Sequence, residues 1–244
     1  ATALFVARGA GVVSGLPHAL LAFETIDSEL LFDQKISDGD QVSPGTIIAS
    51  VSGLARSILS AERTALNFMC HLSGISTLTA QFVAQIAHTD ARMCCTRKTI
   101  PGLRASQKYA VRRGGGSNHR FGLDDAILIK DNHIAVAGGI TKALEAAKAF
   151  AGHLVKIEIE VDTLDQFEEA LIAGADCVLL DKFLADQLRE AVQINRGRAV
   201  LEASGGVKLE TVKAIAESGV DYISSSQITM SASTFDIGLD IQIR

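Results

Sequence analysis

Charged side chains cluster where the apolar runs of this sequence end, and their types suit anion binding and cation stabilisation. Lys and Arg recur through residues 96–116, TRKTIPGLRASQKYAVRRGGG, in a chain whose net charge is −5. Carboxylates end other runs, among them Glu160 and Asp181. Arg binds planar carboxylates through two hydrogen bonds, and Lys acts as a point charge. Spaced carboxylates can bind Mg²⁺ or stabilise a developing cation.

The composition decides between three possible targets of the positive charge: nucleic acid, a membrane surface and a small polyanion. The chain has 244 residues, 48% of them hydrophobic and 21% charged. The net negative charge of the chain argues against binding to nucleic acid. No apolar run approaches the roughly 20 residues that are needed to cross a bilayer. The four cysteines form no CxxC pair, which argues against a zinc site or a disulfide framework and favours a reducing cytoplasm. A pocket for a small polyanion remains.

Six apolar, β-rich runs carry these clusters at their carboxyl ends. They are ARMCCTRKT, DAILIKDN, LVKIEIEVDT, CVLLDK, AVLEASGG and DYISSSQ, and the last four recur about every 22 residues. Helical patterns separate them: GITKALEAAKAFA, LDQFEEALIAGA, LADQLREAVQIN and LETVKAIAESG. Strands that are apolar throughout indicate a parallel sheet covered by helices. A (β/α) barrel is predicted, because active sites of barrels form at the carboxyl ends of the strands.

The strand ends therefore supply the candidate site. In chain order they contribute Thr96, Arg97, Lys98, Lys130, Asp131, Asn132, His133, Glu158, Glu160, Asp162, Asp181, Lys182, Glu202–Gly206 and Ser224–Ser226, and the segment GGGSNHR adds His119 and Arg120. Glycines after late barrel strands often bind phosphate through backbone N–H groups. Glu158 and Glu160 alternate with apolar residues, so both are predicted to face the barrel interior.

Other segments are interpreted as scaffold. The first 60 or so residues contain short strands and tight turns, and the tail FDIGLDIQIR is predicted to return to this first domain. ISDGDQVSPGTIIASVSG resembles biotinyl and lipoyl carriers, but Lys35 precedes the turn, which argues against a carrier. Helical spacing covers residues 57–87, with an interruption predicted at HLSGIS, where Ser73 and Ser76 could cap. Lys108 and Arg113 are predicted to lie on a solvated helix face.

Several of these stretches together resemble the quinolinate phosphoribosyltransferase family. The resemblance rests on TRKTIPGLR, KYAVRRGGGSNHRFGLDDAILIKDNHI, IEIEVDTL, VLLDK and EASGGV, and it runs from Phe5 to Ile241. It implies an irregular (β/α) barrel with a mixed α/β amino-terminal domain that the carboxyl tail completes. The domains would be residues 1–74 with 235–244, and the barrel residues 75–234. It also implies at least a homodimer with shared active sites.

The resemblance implies a reaction and roles for the strand-end residues. Quinolinate would attack phosphoribosyl pyrophosphate, and loss of pyrophosphate and CO₂ would give nicotinate mononucleotide in NAD biosynthesis. Quinolinate would be bound by Arg97, His119, Arg120, Lys130 and, from a partner subunit, Arg63. Glu160 and Asp181 would bind the ribose and Mg²⁺, and together with Lys130 they would be the catalytic residues. The phosphates would be bound by Lys98, Ser204, Gly205, Gly206, Ser225 and Ser226, and Thr96 and Gln227 would be further substrate-binding residues.

Three alternatives stay open at this point. One is a molybdenum-transport-associated relative of the same family, which DKF at residues 181–183 resembles. Another is a barrel aldolase or decarboxylase that uses Lys130 as a Schiff base. The third is a non-catalytic carrier or scaffold. Three positions also depart from the family pattern: Lys182 stands where Asn is common, Ser226 where Gly is usual, and Met230 near a usual His.

Overall fold

The computed structural model describes residues 1–242, so positions 243 and 244 of the predicted tail lie outside the described residues. The strands are β1 (Thr2–Ala7), β2 (Gly11–Val12), β3 (Leu31–Gln34), β4 (Gln41–Val42), β5 (Ile47–Ser52), β6 (Arg92–Cys94), β7 (Ile127–Ile129), β8 (Ile157–Val161), β9 (Cys177–Asp181), β10 (Val200–Ser204), β11 (Tyr222–Ser224) and β12 (Ile237–Gln242). The helices are α1 (Leu16–Ile26), α2 (Ala55–Ile86), α3 (Arg104–Arg113), α4 (Asp131–Ala137), α5 (Ile140–Phe150), α6 (Leu164–Ile172), α7 (Ala185–Asn195), α8 (Val212–Ala216) and α9 (Gln227–Met230).

The chain forms two compact units, and the first is built from three separate segments: Ala1–Gln81, Thr99–Gly116 and the residues from Ile228 onward. Its main sheet is antiparallel, with the strand order β12-β1-β5-β3. β12 pairs with β1 along its whole length, from Thr2 opposite Gln242 to Ala7 opposite Ile237. The prediction that the carboxyl tail completes the amino-terminal domain is therefore confirmed.

The core of the first unit lies between this sheet, α1 and the first half of α2. Alternation along β1 buries Ala3, Phe5 and Ala7 on one face of the sheet. Phe5 meets Phe23 of α1 edge to face, with ring centroids 5.9 Å apart. A side chain of this size contributes about 2–3 kcal/mol when it is removed from water. The sheet thereby fixes the helices that it packs against.

α2 is one continuous helix of 32 residues, so the predicted interruption at HLSGIS is wrong. Ser73 and Ser76 do not cap helices there. The hydroxyl of Ser73 bonds the backbone of Ser14, and that of Ser76 donates to the carbonyl oxygen of Ala110. At Gly74 an added Cβ would lie 2.1 Å from the carbonyl oxygen of Ser233. The two serines thus bond neighbouring backbone segments, and the glycine lets one of them approach the helix closely.

α3 shows that helical spacing alone does not say which face is buried. The expectation that Lys108 lies on a solvated face is wrong, because its side chain is buried together with Gln107, Ala110 and Val111. Arg113 is exposed as predicted, and its guanidinium lies 4.7 Å from the ring centroid of Tyr109. The buried stripe of α3 includes Lys108 and excludes Arg113.

The second unit comprises Phe82–Lys98 and Ser117–Gln227 and contains all six predicted strands. They are parallel, in the order β6-β11-β10-β9-β8-β7. The last strand of the series pairs with the first, which is the circular order of a barrel. Among residues 1–242 no ladder joins β6 to β7, and an isolated bridge links Cys94 to Ser117 instead. The irregular barrel is confirmed.

Helices α5 to α8 follow the barrel strands as the apolar spacing predicted. In α6 the Thr163 hydroxyl accepts a hydrogen bond from the Gln166 N–H at the helix start, and Phe167 and Leu171 are buried. Such a cap satisfies one of the N–H groups left unbonded in the first turn. Because every barrel strand runs in the same direction, all six carboxyl ends lie on one side of the second unit.

Candidate active site

The register of the barrel places the predicted polar strand ends beside one another. Asp181, the last residue of β9, is paired with Ser204, the last residue of β10. Glu160 of β8 and Glu202 of β10 both lie opposite Leu179 of β9. The parallel register therefore gathers carboxylates and the glycine turn on neighbouring strands.

Two arginines of the second unit are held close together. Burial, followed by the nearby charge of Arg97, lowers the pKa of Arg120. One amino group of Arg120, NH1, donates to the carbonyl oxygen of Ala126 at 3.0 Å. Within residues 1–242, Nε of Arg120 is buried and has no hydrogen-bond partner. Two neighbouring guanidiniums with an unused buried donor are of the kind that bind anions.

The loop after Arg120 is organised by one carboxylate. Asp125 accepts backbone N–H groups from Phe121 at 2.5 Å and from Gly122 at 2.8 Å. These bonds lower the pKa of Asp125, and the charge of Arg120 acts in the same direction. The hydrogen bonds to Asp125 thus hold the loop in a tight turn and keep Arg120 near the start of β7.

Both ring nitrogens of His119 are engaged within the second unit. Nδ1 accepts the backbone N–H of Arg120 at 2.8 Å, and Nε2 lies 3.0 Å from Oε2 of Glu158. Because a nitrogen that accepts an N–H carries no proton, the proton of the neutral ring is on Nε2 and is donated to Glu158. His119 therefore connects the backbone of Arg120 to a buried carboxylate.

Glu202 completes this buried group from the next strand but one. Its Oε1 lies 3.7 Å from Nε2 of His119, and no residue among 1–242 gives that oxygen a hydrogen bond. Burial, and then the charge of Glu158, raises the pKa of Glu202 to about 7. Burial and Glu158 also raise the pKa of Cys177, whose Sγ lies 3.4 Å from Oε1 of Glu158.

These three side chains also offer potential metal ligands. One atom each of His119, Glu158 and Glu202 lies within 4.8 Å of the others. A histidine that ligates a metal through Nε2 normally donates its Nδ1–H to an acceptor. Here Nδ1 itself accepts an N–H, so Nε2 keeps its proton. The arrangement favours a hydrogen-bonded group over a metal centre.

Two lysine–carboxylate pairs stand at the ends of β7, β8 and β9. Nζ of Lys130 donates to Oε2 of Glu160, and Nζ of Lys182 donates to Oδ2 of Asp181 at 2.7 Å. The carboxylates are mostly buried, with side chains 15% and 16% exposed, while both lysines are open to solvent. The hydrogen bond to Asp181 raises the pKa of Lys182. The carboxylate oxygens are of the kind that Mg²⁺ and ribose hydroxyls bind.

The turn Ser204–Gly206 follows β10 with two glycines in the left-handed region, at φ +86° and +69°. An added Cβ on Gly205 would lie 2.6 Å from Oδ1 of Asp181 and 2.9 Å from the backbone nitrogen of Lys182. The close approach of two backbones requires glycine there. Successive backbone N–H groups in such turns form concavities for anions.

The end of β11 supplies a second polar turn. The Ser224 hydroxyl donates to that of Ser204 at 3.0 Å, which ties this strand to the glycine turn. The Ser225 hydroxyl donates to the Val207 carbonyl oxygen and accepts the N–H of Gln227. The buried Ser225 therefore stabilises the turn through these two hydrogen bonds, and Ser226 beside it is half-buried.

The remaining predicted residues lie at the end of β6 and on α2. The Thr96 hydroxyl accepts the N–H of Lys98 at 3.0 Å, which turns the chain directly after the strand and leaves Lys98 exposed. Arg63 lies in the first unit and is exposed on α2. The assignment of these residues to substrates stays a prediction.

Sequence reasoning named Glu158 and Glu202 as strand-end residues but did not join them to His119. The alternation of Glu158 with Ile157 and Ile159 was the available signal, since it pointed inward. What it lacked was the register of β8, β9 and β10, which decides the neighbours of an inward carboxylate. It also missed the contact of Cys177 with Glu158.

Comparison with known proteins identifies the family. The family model of the quinolinate phosphoribosyl transferase C-terminal domain matches residues 75–240, and the model of the N-terminal domain matches residues 1–73. The chain belongs to this family. It is 42% identical to the probable carboxylating nicotinate-nucleotide pyrophosphorylase of Bacillus subtilis, over 98% of this chain and 82% of that protein. It is 43% identical to the carboxylating nicotinate-nucleotide pyrophosphorylase of Mycobacterium leprae, over 98% of this chain and 86% of that protein.

Solved structures agree with this assignment. The nicotinate-nucleotide pyrophosphorylase of Francisella tularensis superimposes with a TM-score of 0.96 at 42% identity, over 99% of this chain and 86% of that one. The family match does not favour the alternatives, neither the molybdenum-associated relative nor the carrier. The Schiff-base alternative is not favoured either, because the relatives that match over nearly the full chain are named as nicotinate-nucleotide pyrophosphorylases. Among residues 1–242, no helix is both long and apolar enough to span a membrane.

Proposed function

We propose that this protein transfers the phosphoribosyl group of phosphoribosyl pyrophosphate to quinolinate. The ring nitrogen of quinolinate forms a bond to C1 of the ribose, and pyrophosphate leaves with the electron pair of the C1–O bond. The 2-carboxylate then departs as CO₂, its bonding electrons remain on C2, and C2 takes up a proton. The product is nicotinate mononucleotide, an intermediate of NAD biosynthesis.

The observation that carries this proposal is the pair Arg97 and Arg120 in the barrel unit. Burial and mutual repulsion disfavour such a pair, Asp125 and Glu158 offset part of this cost at Arg120, and an anion bound beside the two guanidiniums would offset more of it. Quinolinate is a planar dianion, and Arg is the side chain that binds planar carboxylates bidentately. His119 contributes by holding the backbone N–H of Arg120. Lys130 supplies a further cation.

Ribose and the developing positive charge are assigned to the carboxylates. As the bond to pyrophosphate breaks, positive charge develops on the ribose, and fixed carboxylates nearby stabilise it. Glu160 and Asp181 are suited to this because they are mostly buried and held by Lys130 and Lys182. Lys130, Glu160 and Asp181 are therefore the proposed catalytic residues.

The phosphate groups are assigned to the two turns and to β6. The 5′-phosphate would bind the Ser204–Gly206 turn and the neighbouring segment Ser225–Gln227, and the hydrogen bond from the Ser224 hydroxyl to that of Ser204 ties the two strand ends together. Thr96 and Lys98, after β6, would bind the pyrophosphate part. Glycine at 205 and 206 permits the close approach of phosphate oxygens to the backbone.

Mg²⁺ fits the same carboxylates. Glu160 and Asp181 supply oxygen donors on neighbouring strands, and Mg²⁺ commonly combines one or two carboxylates with substrate phosphates and water. Bound there, it would supply positive charge beside the departing pyrophosphate. Lys130 and Lys182 would keep the two carboxylates oriented for it.

A homodimer or larger homo-oligomer with shared active sites is part of the proposal. Arg63 would reach the quinolinate pocket of a partner subunit. It is exposed on α2, next to an apolar groove between α1 and α2 that includes Leu21, Ile26 and Phe68. Leu21 and Ile26 are half or more exposed, and a second copy of the chain would cover them. We place the protein in the cytoplasm, in keeping with the acidic chain and its free cysteines.

The test is a reconstitution. The purified protein is incubated with quinolinate, phosphoribosyl pyrophosphate and Mg²⁺, and nicotinate mononucleotide and CO₂ are measured in equal amounts. Nicotinate in place of quinolinate is the matched control, because it lacks the 2-carboxylate that the arginines bind. Efficient turnover of nicotinate, or no product from quinolinate, contradicts the proposal.

A further inference from the structure

Lys182 combines an unusual backbone with an exposed charge at the edge of the proposed site. Its φ is +59°, and among residues 1–242 only one other residue that is not glycine, Arg196, has a positive φ. This region is disfavoured for side chains with a Cβ, and residues held in it cluster at functional sites. Contacts with neighbouring residues must therefore stabilise this backbone conformation of Lys182.

Contacts with the turn Ser204–Gly206 hold that backbone. The N–H of Lys182 donates to the carbonyl oxygen of Ser204 at 2.8 Å. A Cβ added to Gly205 would lie 2.6 Å from Cγ of Lys182 and 2.9 Å from its backbone nitrogen. Lys182 is thus packed directly against the first glycine of the turn.

The side chain of Lys182 ends on the neighbouring carboxylate. Its Nζ lies 2.7 Å from Oδ2 of Asp181, while 77% of the lysine side chain is exposed. The ammonium is therefore open to solvent on most sides and keeps donors that Asp181 does not use, since an ammonium has three. A cation stands within reach of the glycine turn.

We propose that Lys182 is an additional binding residue for a phosphate group of the ribosyl donor. When the donor enters, the ammonium keeps one hydrogen bond to Asp181, which stays oriented towards the ribose, and gives another to a phosphate held by the Ser204–Gly206 turn. Lys suits this role because it acts as a mobile point charge and needs no fixed bidentate geometry. The inference rests on the proposed function, since it concerns the same donor.

The experiment compares Lys182→Asn with Arg196→Asn. Asn tolerates the left-handed region, so both variants remove a cation and keep a compatible backbone. Arg196 ends α7 and is the matched control. Calorimetry gives Kd for phosphoribosyl pyrophosphate, ribose 5-phosphate, inorganic pyrophosphate and quinolinate at two salt concentrations.

We expect Lys182→Asn to raise Kd for phosphoribosyl pyrophosphate by about 5- to 20-fold, with a weaker salt dependence, and to leave Kd for quinolinate unchanged. The fragment that loses affinity, ribose 5-phosphate or pyrophosphate, identifies the phosphate contacted. Lys182→Arg should retain most of the affinity, because it keeps the charge.

Unchanged donor affinity in Lys182→Asn overturns the inference, and so does an equal loss in Arg196→Asn. Equal weakening of quinolinate and donor also overturns it, because a damaged fold would act on both. If the unaltered protein binds neither quinolinate nor the donor, the proposed function fails and this inference fails with it. If the unaltered protein binds both and only the effect of Lys182 is missing, the proposed function stands alone.

Discussion

Oε1 of Glu202 lies 3.7 Å from Nε2 of His119, inside the barrel unit and beyond hydrogen-bonding distance. The ring donates its proton to Glu158 instead. Glu202 is left as a buried carboxyl beside a second carboxylate, and burial is the main reason that its pKa rises to about 7. The negative charge of Glu158 acts on Glu202 in the same direction as burial.

The first prediction concerns stability and pH. A carboxyl whose pKa is higher in the folded than in the unfolded state stabilises the fold below its unfolded value, 4.5. That contribution is lost as the pH rises through about 7. Glu202→Gln, which cannot ionise, should therefore be more stable than the unaltered protein at pH 8 and similar to it at pH 5. Urea unfolding at both pH values measures the difference.

Glu190→Gln is the control for that experiment, because Glu190 is exposed on α7. It should change the free energy of unfolding by less than about 0.5 kcal/mol at either pH. A pH dependence that is the same in Glu202→Gln and in the unaltered protein would show that Glu202 is ionised throughout the range.

The second prediction concerns the arginine pair. Arg97→Ala or Arg120→Ala should raise KM for quinolinate by about 30- to 150-fold, since a lost charge-assisted bidentate contact costs about 2–3 kcal/mol. The effect on KM for phosphoribosyl pyrophosphate should be much smaller. Steady-state kinetics with each substrate varied in turn measures both constants.

Arg112→Ala gives the matched control for the arginine substitutions, because Arg112 is exposed on α3. It should leave both KM values unchanged. Equal increases for the two substrates in Arg97→Ala and Arg120→Ala would count against the assignment of the pair to quinolinate.

The third prediction separates two adjacent glycines. Gly205 and Gly206 both have positive φ, so alanine at either position strains the backbone by about 1–2 kcal/mol. Only at Gly205 would the added Cβ meet Asp181 and the backbone of Lys182, whereas nothing lies within 4 Å at Gly206. Gly205→Ala should therefore lower the free energy of unfolding by about 3 kcal/mol or more, and Gly206→Ala by about 1–2 kcal/mol. Equal losses would refute the close-packing argument.

The fourth prediction tests the shared site. Arg63→Ala and Lys130→Ala should each be inactive, but a heterodimer of the two contains one site built from intact halves. Co-expression with random pairing makes about half of the dimers heterodimers, each with one working site, or roughly a quarter of the unaltered activity. Heterodimers purified through two different tags are assayed directly.

Each variant expressed with an untagged copy of itself is the control, and both should stay inactive. Heterodimers no more active than these parents would show that Arg63 acts within its own chain. The shared-site proposal would then be wrong.

The fold was predictable from the sequence where local patterns carry the information. Apolar runs gave the six barrel strands, and their polar ends gave Lys130, Glu160 and Asp181, because parallel strands bring their carboxyl ends to one side. Contacts between distant segments were not predictable. The stretch HLSGIS is an example: it predicted an interruption, but its Gly74 admits the backbone of Ser233 beside an unbroken α2.

The same limit applies to the site. The link from Glu202 to His119 depends on the register of three strands, which no local pattern encodes. Lys182 looked like an ordinary polar residue after a strand, and its positive φ follows from contacts with a turn that lies more than 20 residues further along the chain. Burial of Lys108 was missed because a helical stripe has no intrinsic inward direction.

The pairing of β1 with β12 has a consequence for biosynthesis. β1 is synthesised before the six barrel strands, and β12 is synthesised after all of them. Until then one edge of β1 has unpaired N–H and C=O groups, and exposed strand edges invite pairing with other chains. The nascent chain therefore carries an open strand edge throughout synthesis of the barrel, a feature that makes slow or stalled synthesis of this protein prone to aggregation.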